Sequence, residues 1–230
     1  MAACPMSLAC SSIPSVQKVE YEAVGVAEIG GPLVVGEWTI KLDRIDLAFG
    51  PVYFCAANFG SNALCDTAAA ELLTDNTLSL TSSGEVPLGR VHGFTGAIRS
   101  ASFDFGIHWF PSQAAPTPAA TAPNGHSLVA LGSFVRGAEN LPFTLIVNAT
   151  PQYAGQRFVP TRAVVAEVTE ETSGVRVHFP LGAWLKALPV ADLVTGSNGA
   201  PIVIDGSGPA HDAVLLEMVA GHPVTFEFQN

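Results

Sequence analysis

Six histidines carry the most specific chemistry in this chain. His92 sits in RVHGF, His108 in FGIHWF, His126 in NGHSL, His178 in RVHFP, His211 in AHDAV and His222 in GHPV. Imidazoles projecting from adjacent strands at one sheet face or rim form a copper or zinc site when they converge, and Met218 or Met6 offers a soft sulfur for Cu(I). The expected metal ligands are His92, His126, His178 and His211, with Asp212 placed to orient His211 through its second ring nitrogen. Against this stands the plainer reading that a strand histidine is a polar-face or hydrogen-bonded core residue.

The carboxylates offer less. Asp43/Asp46, Glu170/Glu171 and Asp205/Asp212 come nearest to pairs, and a glycosidase needs two carboxyl groups flanking one bond. On a strand Asp43 and Asp46 point to opposite faces unless a bulge realigns them, and Glu170-Glu171 fall in a turn. The loop DGSGPAHD (205–212) presents Asp205, Ser207 and Asp212 as oxygen donors for calcium, without EF-hand spacing. G-x-S-x-G, G-x-x-x-x-G-K-S/T, H-E-x-x-H and a helix-opening G-x-G-x-x-G are all missing. A hydrolase with an unrecognised site is therefore only the third reading.

The elements that must position these side chains are mostly strands. In GEWTIKLDRIDLAFGPVYFC (36–55), Trp38, Ile40 and Leu42 alternate with Thr39, Lys41 and Asp43 at the two-residue period of a half-buried strand. The phase slips at Arg44, after which Ile45, Leu47 and Phe49 take the buried face, as in a bulged strand. Residues 17–28 read as a first strand and 86–110 as two, with Phe103, Phe105, Ile107 and Trp109 alternating against Ser102, Asp104, Gly106 and His108. Residues 126–150 read as a hairpin turning near 136–140. Two further strands, 162–169 and 174–180, flank a polar turn and form another hairpin. Short strands follow at 201–204 and 224–228. Helical spacing appears at 62–73, 180–188 and 211–221, and the Pro/Ala/Thr-rich stretch 111–125 reads as a long exposed loop. The expected fold is all-β, an antiparallel β-sandwich of seven to nine strands with two or three short helices in the connections. Residues 1–16 form an irregular N-terminal segment and 17–230 one domain.

Composition narrows the partners. With 230 residues, 48% of them hydrophobic, the chain can bury a full core. Only 13% are charged and the net charge is −10. That balance opposes the counterion release that drives nucleic-acid binding, so nucleic acid is excluded as an expected partner. No apolar run approaches the ~20 residues of a membrane-spanning helix. Cys4/Cys10 and Cys55/Cys65 fall as two close pairs. Neither pair has C-x-x-C spacing, so the expectation is two disulfides in an oxidising compartment. The start of the chain shows no cationic and apolar signal segment. Met1-Ala2-Ala3-Cys4 and Leu8-Ala9-Cys10 loosely match the small-residue context of a lipid-anchored cysteine, and a lipid there would leave the partner cysteine unpaired.

The stretches EWTIKLDRIDLAFGPVYFCA, LGRVHGFTGAIRSASFDFGI, NGHSL and VRVHFPLGAWLKAL resemble those of secreted or lipid-anchored proteins of myxobacterial type. In layout these are similar to the methanobactin-associated copper-binding proteins of the periplasm. That resemblance implies a β-rich fold holding copper through histidines and an oxidised tryptophan. It carries over to the segments around His92, His126 and His178, with no tryptophan assigned the modified role. The expected function is an extracytoplasmic binding protein, in the periplasm, on the outer surface or secreted, that takes copper or zinc through strand histidines or a small ligand. The alternative is a non-catalytic structural or self-assembling cell-surface protein that binds copies of itself and no metal.

Overall fold

The computed structural model describes residues 16–57, 68–81, 84–206 and 208–230. Cys4, Cys10, Cys65, Met6 and Ser207 lie outside the described residues, as does nearly all of the expected N-terminal segment. Period-two patterning becomes strand in β1 (Lys18–Ala27), β2 (Leu33–Val35), β3 (Trp38–Phe49), β4 (Val52–Cys55), β5 (Ala68–Leu72), β6 (Asn76–Ser79), β7 (Glu85–Phe94), β8 (Gly96–Phe103) and β9 (Ile107–His108). There follow β10 (Thr117–Pro118), β11 (Leu128–Arg136), β12 (Glu139–Val147), β13 (Arg162–Val168) and β14 (Gly174–Phe179). The helices α1 (Leu181–Lys186), α2 (Val190–Ser197) and α3 (Pro209–Leu216) share the last part of the chain with β15 (Ile202–Ile204) and β16 (Thr225–Gln229). The fold is all-β and sandwich-like. It has more strands than the sequence suggests because two- and three-residue strands such as β2 and β10 are too short to show a period.

One sheet has eight strands in the order β13-β8-β4-β5-β7-β1-β14-β16, and the other runs β15-β12-β11-β3-β2 with β6 also on β3. Most ladders are antiparallel, but β1 pairs with β14 and β12 with β15 in parallel. In β3 the register against β11 jumps from Arg44 to Leu42, leaving Asp43 as the extra residue of a bulge. Trp38 and Ile40 are buried before it, and Ile45, Leu47 and Phe49 after it. The chain then leaves one sheet for the other at Gly50. This glycine has φ 114°, and a Cβ there would stand 2.3 Å from the Thr74 carbonyl oxygen, so no other residue fits the corner.

The eight-stranded sheet curls until its two ends face each other. Phe226 and Phe228 of β16, at one edge, reach across to Phe54 and Phe103 of β4 and β8 near the opposite edge. The ring centroids are 5.3 Å apart for Phe54–Phe226, 5.1 Å for Phe54–Phe228 and 5.6 Å for Phe103–Phe226. Phe49, from the other sheet, meets Phe103 at 5.4 Å and Phe179 at 4.9 Å. One aromatic cluster therefore holds both layers.

Several expectations change. Residues 68–72 of the expected helix 62–73 are strand β5, paired with β4 and β7. Its helical spacing comes from alanines that serve a strand interior as well. β13 and β14 are not a hairpin: β13 pairs with β8, and β14 lies between β1 and β16. The polar turn spans the seam between the curled edges, where the Ser173 N–H donates to the Gln229 carbonyl at 2.8 Å. A short polar turn looks the same in sequence whether it joins neighbours or crosses a seam. The loop 111–125 is only partly open, since β10 pairs with β9 and Ala122 is buried.

The Phe54→Ala variant is expected to lose about 3–5 kcal/mol of unfolding free energy. Val165→Ala, at a position 88% exposed on edge strand β13, is expected to stay within about 0.5 kcal/mol. Denaturant unfolding of the two variants checks this, and comparable losses would mean the cluster is not the shared core.

Candidate functional site

The four histidines expected to share a metal stand apart, each with its own partner. His92 on β7 is exposed, its Nδ1 3.2 Å from Glu20 Oε1 on β1. His126 precedes β11 and its Nδ1 lies 3.0 Å from Asn148 Oδ1. His178 on β14 contacts carboxylates with both ring nitrogens, Glu28 at 2.8 Å and Glu227 at 3.2 Å, which leaves no nitrogen open to a metal. His211 in α3 is 5% exposed and its Nδ1 meets Asp212 Oδ1 at 2.9 Å, the partner expected for it. Among the described residues no group of three or more His, Cys, Asp or Glu side chains is arranged to hold a metal ion.

His108 is the histidine built into a network. The face of Ser102, Asp104 and His108, the polar side of that alternation, is buried, with Asp104 3% and His108 9% exposed. The chain folds back after β8: the Gly50 N–H donates to the Asp104 carbonyl at 3.1 Å, and Gly106 presses on Ala48. His108 Nδ1 then lies 3.3 Å from Asp104 Oδ2, and Nε2 lies 3.4 Å from Asp75 Oδ1, a charge contact outside hydrogen-bond alignment. Arg157, 6% exposed, donates to the same Asp104 oxygen and lays its guanidinium 5.2 Å from the centre of the Tyr53 ring. The Asp104 carboxylate, then that of Asp75, outweigh burial and raise the His108 pKa from 6.5 to about 9. Two cations and two anions balance, so the network fastens the 104–108 turn and the segment bearing Arg157 to the sheet. An imidazole held protonated in this way is a poor general base and a poor metal ligand.

A concave site lies at the helical end. A cavity of about 620 Å³ is bounded by α2 (Asp192, Leu193), edge strand β15 (Ile202, Ile204) and the first turn of α3 (Ala210, His211). That volume suits a small ligand. Its walls combine apolar side chains with two carboxylates at the rim, Asp192 and Asp205. His211 lines it, and its Nε2 is buried with no hydrogen-bond partner. Asp212 accepts at Nδ1, so in the neutral ring Nε2 is a bare acceptor. An unpaired buried acceptor carries a free-energy cost.

No family model, curated protein or solved structure matches the chain. The reading of the site therefore rests on its own geometry.

Sequence reasoning reached His211 and its Asp212 partner but assigned them to a metal, and it did not foresee α2. It named His108 without Asp75 or Arg157, which no local spacing connects to it. The one local signal was Asp104 and His108 four positions apart around Gly106, whose positive φ of 70° makes the turn.

Because the folded pKa of His108 lies above its unfolded value, its stabilisation is complete below about pH 6.5 and is lost as pH rises through about 9. The contribution is on the order of 3 kcal/mol. Denaturant unfolding at pH 6 and pH 9.5 is expected to show that loss in the wild type and not in His108→Asn. Asp104→Asn, which strands Arg157 and His108 in the interior, is expected to cost about 3–5 kcal/mol near neutral pH.

Proposed function

We propose that this chain is an extracytoplasmic β-sandwich binding protein whose ligand enters the cavity between α2, β15 and α3. The observation that carries the reading is a cavity of about 620 Å³ with apolar walls of Leu193, Ile202, Ile204 and Ala210 and two carboxylates, Asp192 and Asp205, among its lining. Compartment is inferred from cysteine chemistry. Cys55 is disulfide-bonded and lies fully buried at the end of β4. Cys65 is the partner that its close spacing suggests, and a disulfide of this kind belongs to an oxidising environment. The few lysines and net charge of −10 suit the same surroundings. We take the ligand to be a small organic molecule rather than copper or zinc, because the strand histidines are committed to separate partners.

A second reading, self-assembly, is favoured by one observation: Val165 on β13 and Val203 on β15 stand 88% and 63% exposed on strands at sheet edges. Such edges pair with other strands unless guarded.

The test uses Gly196, which lines the cavity and has open space where its Cβ would be. Gly196→Trp should fill the cavity and leave the fold intact. A thermal-shift screen of small polar and amphipathic compounds is expected to give stabilisers of the wild type that fail on Gly196→Trp. Stabilisers acting equally on both, or none at all, would refute the cavity as the site. Oligomers seen by sedimentation velocity at micromolar concentration would move the assignment to assembly.

A further inference from the structure

We infer that the ligand of this cavity is a short extended peptide that adds as a strand to the free edge of β15, an assignment that rests on the cavity being the binding site. β15 is the last strand of its sheet and pairs on one side alone, in parallel with β12. Along a strand, both backbone groups of one residue turn to one neighbour and those of the next residue turn away. Alternate residues of β15 therefore direct an N–H and a C=O away from β12. Among the described residues, none of 201–205 makes a backbone hydrogen bond outside that ladder.

The cavity runs along this edge, since all of residues 201–205 line it. Ile202 and Ile204 turn toward the core, 6% and 4% exposed, while Val203 turns outward at 63%. A cavity on one face of the sheet would meet one of these two sets. Meeting both places it at the side of the strand. α2 forms the opposite wall through Asp192, Leu193 and Gly196, so the helix stands across the groove from the edge and does not cover it. A strand edge open beside a helix is suited to strand addition, in which main-chain bonds give affinity and alternate side-chain pockets give specificity. Only another backbone repeats N–H and C=O groups at the spacing of β15. The charge of the groove limits the sequence of that backbone. Asp192 and Asp205 line it and no Lys or Arg does, so it favours a peptide with basic residues on one face and apolar residues between them, and repels an acidic one.

The test is titration of the full chain, read by fluorescence anisotropy, with labelled pentapeptides acetyl-Lys-X-Thr-X-Lys-amide in which X is Val, Ile, Leu or Phe. Members of this set are expected to bind roughly tenfold tighter than their acetyl-Glu-X-Thr-X-Glu-amide counterparts and to lose binding in Gly196→Trp. The tightest member is then N-methylated either at both X residues or at Thr and the final Lys. One of the two methylated forms should lose binding and the other keep it, because a single set of N–H groups faces β15. Equal behaviour of the two, with Gly196→Trp still inactive, overturns strand addition while the cavity remains the site. Failure of every member to bind more tightly than about 1 mM overturns it too. The cavity reading then survives if small-molecule stabilisers separate the wild type from Gly196→Trp. Peptide binding that Gly196→Trp leaves unchanged removes the cavity reading along with the peptide. A dimer that dissociates in Gly196→Trp assigns the edge to a second copy and refutes the peptide assignment.

Discussion

The contact of Phe226 and Phe228 with Phe54 and Phe103 decides the shape of this molecule. Eight strands laid flat would leave their apolar faces half covered, since the second sheet is smaller and is divided along β3 between β2 and β6. Curling brings strand β16 over β4, so the larger sheet covers part of its own face. Edge-to-face aromatic pairs add to the burial itself, each about 0.5–1.5 kcal/mol. Both strand edges at the seam are tied by the turn that carries Ser173.

The same cluster reaches the helical end. Phe105 meets Trp184 of α1 with ring centroids 6.1 Å apart, and the Trp184 indole N–H donates to the His222 carbonyl at 2.7 Å. That bond pins the turn following α3, and α3 carries His211. The cavity wall is thus anchored to the core, while α2 and β15 close it from the sides. The ionic network around Asp104 acts at another place. It lies against Tyr53 of β4, and without it the folded-back chain would leave Asp104 and Arg157 as uncompensated buried charges.

Much of the fold was legible because side-chain alternation is a local property. The bulge near Arg44 showed as a phase slip, the 128–147 hairpin as two runs around Gly137, and α1 as an amphipathic turn at Trp184. What escaped depends on sequence-distant partners. Nothing near residue 70 says that Ala70 packs beside Gly93, which makes β5 a strand. Nothing near residue 170 says that β13 and β14 part company. The site followed the same rule. His211 and Asp212 are neighbours and were paired correctly, whereas Asp192 and Asp205 line the same cavity as His211 through elements far apart in sequence, with β15 held beside β12 in parallel. The histidines on strands looked convergent because alternation assigns faces without assigning neighbours.

The order in which the closing contacts are made has a further consequence. Phe54 and Phe103 are synthesised long before Phe226 and Phe228, and β1 waits for β14 before its second edge is covered. During synthesis the chain therefore carries an open aromatic face that nothing yet made can cover, the situation in which topology delays folding and exposes a protein to aggregation. A nascent chain of this design stays unfolded until late.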